Sequence, residues 1–209
     1  MSGGEWGGGG RRRSAGHGSD RPPKVSPAER RARHASETDP AVVLAAAARA
    51  LESRPLSVME LQRRLRLAGY PGDLIDGTVS RLVDLGYLDD DAFARAWVES
   101  RDRTRPRGER ALRTELDRKG VDRAVVDSVL DDRRATGESL GEDGRSADEA
   151  AAARLLARHA AALGRVADPR ARRQRAYGLL ARNGFDPDVA MRVSRTVDEA
   201  APTDLPADP

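Results

Sequence analysis

The sequence predicts an all-α protein made of three tandem three-helix units, and three observations carry that prediction. Apolar residues recur at helical spacing from about residue 40 to residue 197, and no segment alternates with the two-residue period of a strand. Serine or aspartate, followed by proline or by a glutamate three residues on, stands in front of most of these stripes. Glycines then close helices at matching points. Leu65…Gly69-Tyr70…Leu74-Ile75, Leu116…Gly120-Val121…Val125-Val126 and Leu180…Gly184-Phe185…Val189-Ala190 superimpose without a gap, with the glycines 51 and then 64 residues apart (120 − 69 and 184 − 120). Repetition on this scale implies stacked units that cannot each bury their own apolar face well.

The elements follow in order. Residues 1–38 are rich in glycine, serine and arginine without an apolar period, and read as a disordered, mildly basic tail. Asp39-Pro40 opens the first helix of unit 1 (39–87), with Val43, Ala47, Ala50 and Leu51 as its stripe. Ser57-Val-Met-Glu60 is a capping box for a second helix carrying Leu61, Leu65 and Ala68. The third carries Leu74, Ile75, Val79, Leu82 and Leu85 and closes at Gly86.

Unit 2 (88–134) opens at Asp89-Asp90-Asp91, with Phe93, Ala96, Trp97 and Ser100 expected inward. Its second helix holds Leu112 and Leu116, its third Val125, Val126, Val129 and Leu130. Residues 135–145 read as a loose linker. Unit 3 (146–200) starts with a second capping box, Ser146-Ala-Asp-Glu149, and continues through helices led by Asp168-Pro169 and Asp186-Pro187. Residues 201–209 read as a disordered C-terminal tail.

Composition narrows the chemistry. Aromatics make up 3% of the 209 residues, so the core must be aliphatic and alanine-rich. Without cysteine there are no disulfides, zinc knuckles or thiol nucleophiles. The three histidines, His17, His34 and His159, have no metal-ligand spacing. No apolar run approaches the ~20 residues of a membrane span, and the N-terminus has no signal-like apolar core, which predicts a cytoplasmic protein. Lys24 and Lys119 are the only lysines, a skew typical of high-GC codon usage, so arginine abundance alone says little.

No set of residues assembles an active site, and neither a cofactor nor a metal is expected. Asp89, Asp90 and Asp91 suit a helix N-terminus better than a cation site, which needs ligands from several elements. Phe93 and Trp97, four apart, could stack on bases but read better as a core pair. The most suggestive feature is the strip 101–119. Arg101, Arg103, Arg105, Arg107, Arg110, Arg113, Arg118 and Lys119 stand there against Asp102, Glu109, Glu115 and Asp117, a balance of 8 − 4 = +4. Such a strip suits phosphate backbones or an acidic protein groove, and is equally consistent with a solvated arginine face. Residues 88–135 carry 12 basic and 12 acidic side chains in all, a dipolar module that fits a protein partner better than bare DNA.

The run LGYLDDDAFARAWVESRDRTRPRGERALRTELDRKGVD, from Leu85 to Asp122, strongly resembles the RecX family of recombinase regulators. LSVMELQRRLRLAGYPGDLIDGTVSRLVDLGYL is similar to that family's first unit, and YGLLARNGFDPDVAMRVSRTV to its third, so the resemblance covers about 40–200. It implies an elongated, curved array of three three-helix repeats and no catalytic residues. It also implies a monomer that binds RecA recombinase filaments on single-stranded DNA, with at most a weak direct contact to DNA. Inhibition of ATP hydrolysis, strand exchange and co-protease activity is implied in turn, and with it modulation of DNA repair and the SOS response. The eight basic residues of the strip are the expected contact surface. The alternative from another class is a helix-turn-helix DNA-binding protein, although no helix presents a dense basic face with Asn or Gln base readers.

Overall fold

A computed structural model describes residues 26–140 and 145–198, the side chains of 138–140 excepted, and every regular element among them is an α-helix. Residues 1–25, 141–144 and 199–209 lie outside the described residues, and with them most of the expected N-terminal tail, part of the linker and the C-terminal tail.

Unit 1 comprises α2 (Pro40–Ser53), α3 (Val58–Ala68) and α4 (Gly72–Asp84). Asp39 caps α2 by accepting from the Ala41 amide, and Ser57 and Glu60 form both bonds of the capping box on α3. Val43, Ala47, Leu61, Leu65, Ile75 and Val79 pack into one buried cluster. Leu85 departs from expectation. It falls past the end of α4 and is 58% exposed, while Leu88 fills the core in its place.

Unit 2 comprises α5 (Asp90–Thr104), α6 (Glu109–Arg118) and α7 (Arg123–Leu140). Its core joins Phe93, Ala94 and Val98 to Leu112, Leu116, Val126 and Leu130. The inward face of α5 is therefore rotated from the sequence reading: Ala94 and Val98 are buried and Ala96 is exposed. Helix α7 runs on to Leu140, through much of the segment read as linker. There Gly137 passes so close to Ala147 that a Cβ would meet its backbone nitrogen at 2.6 Å.

Unit 3 comprises α8 (Ala147–Arg158), the short α9 (Ala160–Gly164), α10 (Pro169–Arg182) and α11 (Pro187–Arg195). The Ser146–Glu149 capping box is complete, and Asp168 and Asp186 cap α10 and α11. Ala151, Leu155, Leu163, Ala176, Leu180 and Phe185 are central to its core.

One element lies where the sequence reading had only tail. Helix α1 (Pro27–Ala35) starts with a capping box of its own, Ser26 with Glu29, and with Pro27 in its first turn. It buries none of its residues, which is why apolar periodicity could not reveal it. Polar contacts hold it instead: His34 Nδ1 donates to the Ala68 carbonyl at 2.8 Å, and the His34 ring stacks on Tyr70 with centroids 4.2 Å apart.

The repeat glycines Gly69, Gly120 and Gly184 all have positive φ, at 98°, 74° and 80°, as left-handed helix ends require. Each also sits in a joint. The carbonyl just ahead of each glycine accepts a hydrogen bond from the preceding element: Ala68 from His34, Lys119 from the Ser57 hydroxyl, Asn183 from the Gly108 amide. A Cβ on these glycines would strike that same preceding element, at Arg31, Met59 and Ala111 respectively. The units are thus strung together by one recurrent contact, and α1 makes it at the head of the array.

Candidate interaction surface

The basic strip begins where α5 ends. Pro106 is buried and Gly108 is the N-cap of α6, so the chain turns sharply and sends its arginines in different directions. The structure divides the eight predicted residues into two groups.

Four of them are engaged inside the molecule. Arg101 lies over the Trp97 ring at 4.2 Å and bonds Glu115 at 2.6 Å. Lys119 covers the same ring from 4.0 Å, approaches Phe93 at 5.3 Å and pairs with Glu60 of unit 1 at 3.1 Å. Trp97 Nε1 donates to Glu115 at 2.9 Å, so the indole is taken up by two cations and a carboxylate and is not free to stack on a base. Arg107 donates to the Asn183 side-chain oxygen in unit 3 and pairs with Glu115 at 3.5 Å. Arg113, expected to point outward, ties α6 to α7 through Asp127 and also reaches Glu109 at 3.4 Å. The Arg113 guanidinium holds the Asp127 carboxyl below its ordinary pKa.

The other four face solvent. Arg103 makes an exposed i,i+4 pair with Glu99, worth a few tenths of a kcal/mol at most. Arg105, Arg110 and Arg118 are exposed and make no ion pair or side-chain hydrogen bond among the described residues. Of the strip, these three and Arg103 are placed to meet a partner.

Arg182 belongs beside them, and the sequence reading missed it. It lines a cleft of about 450 Å³ between α6 and the end of α10, together with Arg107, Arg110, Thr114, Glu115 and Arg118. In the repeat register Arg182 stands where unit 2 has Arg118, two residues before the glycine, so the alignment of units held the signal. Charge counted along one segment could not supply it.

The acidic run has structural duties. Asp89 caps α5 by accepting from Asp91 and Ala92, Asp90 accepts from the Val58 amide of unit 1 at 2.9 Å, and Asp91 pairs with Arg95. Burial pushes the Asp90 carboxyl above its ordinary pKa, against the Val58 hydrogen bond. Among the described residues, no group of His, Asp or Glu is arranged to hold a metal ion, and no helix is long and apolar enough to cross a membrane.

Residues 89–130 match the family model described as RecX, second three-helix domain. The chain is 33% identical over 151 residues to the regulatory protein RecX of Mycolicibacterium vanbaalenii, covering 69% of this chain and 76% of that protein. It is 35% identical over 153 residues to the regulatory protein RecX of Thermobifida fusca, covering 73% and 76%. The RecX crystal structure from Lactobacillus salivarius superimposes with a TM-score of 0.63 at 18% identity, over 77% of this chain and 97% of that one. A second crystal structure, of regulatory protein RecX, gives 0.59 at 18% identity over 80% and 72%.

Proposed function

This chain belongs to the RecX family, and from that premise we propose that it is a non-catalytic, cytoplasmic regulator that binds, as a monomer, RecA recombinase filaments on single-stranded DNA. Bound there, it inhibits ATP hydrolysis, strand exchange and co-protease activity, and so modulates DNA repair and the SOS response. The supporting observation is the set Arg105, Arg110 and Arg118: exposed, without side-chain partners among the described residues, and carried by the unit that matches the family model. Guanidinium groups already satisfied within the fold have little left to offer a partner, whereas these retain their full donor set for phosphate or carboxylate.

The test is the triple variant Arg105→Glu, Arg110→Glu and Arg118→Glu. Its helical circular dichroism and melting temperature should match the unmodified protein, because exposed charges contribute under about 1 kcal/mol each. Inhibition of RecA's DNA-dependent ATP hydrolysis should be lost, and inhibition by the unmodified protein should weaken as salt rises. Arg113 is left out of the triple, since a glutamate there would face Asp127 and Glu109 and confound folding with binding. A triple variant that inhibits normally would place the contact elsewhere.

A further inference from the structure

The cleft between units 2 and 3 gathers more positive charge than its walls neutralise. Arg107, Arg110, Arg118 and Arg182 line it, and its carboxylate, Glu115, is already shared by Trp97, Arg101 and Arg107. Arg110, Arg118 and Arg182 are all exposed and unpartnered among the described residues. Arg107 is fixed by its bond to Asn183, the neighbour of Arg182, so the joint between the units sets the spacing of the two walls.

Arg110, Thr114 and Arg118 form an i, i+4, i+8 row along α6. Its two cations, Arg110 and Arg118, are therefore about 12 Å apart along the axis, close to two steps between neighbouring phosphates on a strand, with Thr114 between them. Arg182 faces that row from the other wall. Arg110 and Arg118 on one wall and Arg182 on the other suit a ligand with a regular train of negative charges. Trp97 is capped on its ring and bonded at its nitrogen, and the residues lining the cleft include no aromatic platform for bases.

We propose that this cleft is a sequence-independent site for a phosphodiester backbone, with Arg182 of unit 3 as one of its contacts. The proposal builds on the filament-binding reading of unit 2, but its test contains no RecA, so the two can fail separately.

The experiment measures binding of the full chain to a fluorescent thirty-nucleotide oligo-dT across a salt series, for the unmodified protein, Arg182→Ser, and Arg118→Ser with Arg182→Ser. Each lost phosphate contact should flatten the log–log salt slope by about 0.7 and weaken binding roughly fivefold near 0.1 M salt. The same ratio should hold for a mixed-sequence strand. Arg81→Ser, exposed on α4 of unit 1 and outside the cleft, should bind like the unmodified protein. Polyglutamate of matched charge should compete far less well than unlabelled oligo-dT. The proposal is overturned if the double variant keeps both affinity and slope, or if polyglutamate competes as well as oligo-dT, which would make the cleft a site for acidic peptide. RecA inhibition by the unmodified protein, assayed separately, judges the filament reading whatever the cleft does.

Discussion

Where unit 1 meets unit 2, the carbonyl ahead of Gly120 takes its hydrogen bond from a serine hydroxyl, Ser57. Where unit 2 meets unit 3, the carbonyl ahead of Gly184 takes it from a backbone amide, Gly108. Around that shared anchor the two seams are reinforced differently. At the first, Lys119 is 14% exposed and lies between Glu60 and the Phe93–Trp97 rings. At the second, Arg133 is 8% exposed and is gripped by Asp102 of unit 2 and Asp148 of unit 3, while Arg158 reaches back to the Thr104 and Arg103 carbonyls. Asp148 also accepts from the Glu109 amide at 3.1 Å, a bond the first seam matches with Asp90 and the Val58 amide at 2.9 Å. An anchor made by a backbone carbonyl asks only for some donor, so it can recur while the sequence around it diverges. The strength of each seam is set by what accumulates beside the anchor, and the second has gathered more buried charge.

That difference should show most in Arg133→Ala. Removing the cation leaves Asp102 and Asp148 facing each other without their shared partner, at an expected cost of about 3–5 kcal/mol. Urea unfolding measures it. A loss no larger than that of Lys119→Ala would mean the two seams are equivalent.

Glycine substitutions separate the seams next. A Cβ on Gly108 would lie 2.3 Å from the Gly184 carbonyl oxygen and 2.4 Å from Phe185 Cα, both backbone, so Gly108→Ala must part units 2 and 3. We expect a loss of about 3 kcal/mol, with faster hydrogen exchange at the residue 108 amide. At Gly120 the obstacle is Met59, whose Sδ and Cε can swing aside on a residue 45% exposed, while its Cβ, 2.6 Å away, moves only with α3. Gly120→Ala should therefore cost the left-handed backbone strain, about 1–2 kcal/mol, and a smaller displacement than the one at Gly108, where every obstacle is backbone. Gly72→Ala, with open space around it, should cost nothing. Equal losses at 108 and 120 would contradict this account.

The smallest effect is acid sensitivity at the first seam. Burial pushes the Glu60 carboxyl up, but the hydrogen bond and charge of Lys119, the Ser57 amide and Arg54 outweigh it, and its pKa lies below the ordinary 4.5. A lowered carboxylate contributes stability that is present above the unfolded value and disappears as pH falls through the folded one. Asp90, raised by burial, contributes with the opposite sign. Glu60→Gln should therefore flatten the fall in stability below about pH 4.5, by roughly 1 kcal/mol. Urea midpoints that fall in parallel for the two proteins would rule Glu60 out as the source.

Much of the architecture was legible because helix boundaries are local chemistry. The capping boxes at Ser57 and Ser146, the aspartate caps at 39, 89, 168 and 186, and the left-handed glycines at 69, 120 and 184 are each determined by a few neighbouring residues. What escaped depends on distant partners. Helix α1 is held by Ala68 and Tyr70 rather than by a stripe of its own. Lys119 is engaged by Glu60, 59 residues away, and Arg107 by Asn183, 76 away, so neither could be told from a free surface cation by counting charges. For Arg113 the partner Asp127 is only 14 residues on, yet the turn between α6 and α7 decides whether they meet.

Helix α1 also bears on self-association. An array joined by one repeated, directional contact has two unlike ends, and an unlike pair of ends is what lets copies add head to tail without closing into a ring. At the head of this array the receptor beside Gly69 is already filled: Arg31 backbone lies 2.9 Å from where a Cβ would be, and His34 holds the Ala68 carbonyl. While α1 is in place, another copy has no room to make that same contact there. Part of the segment that read as tail in the sequence thus occupies the position from which a further unit would extend the array.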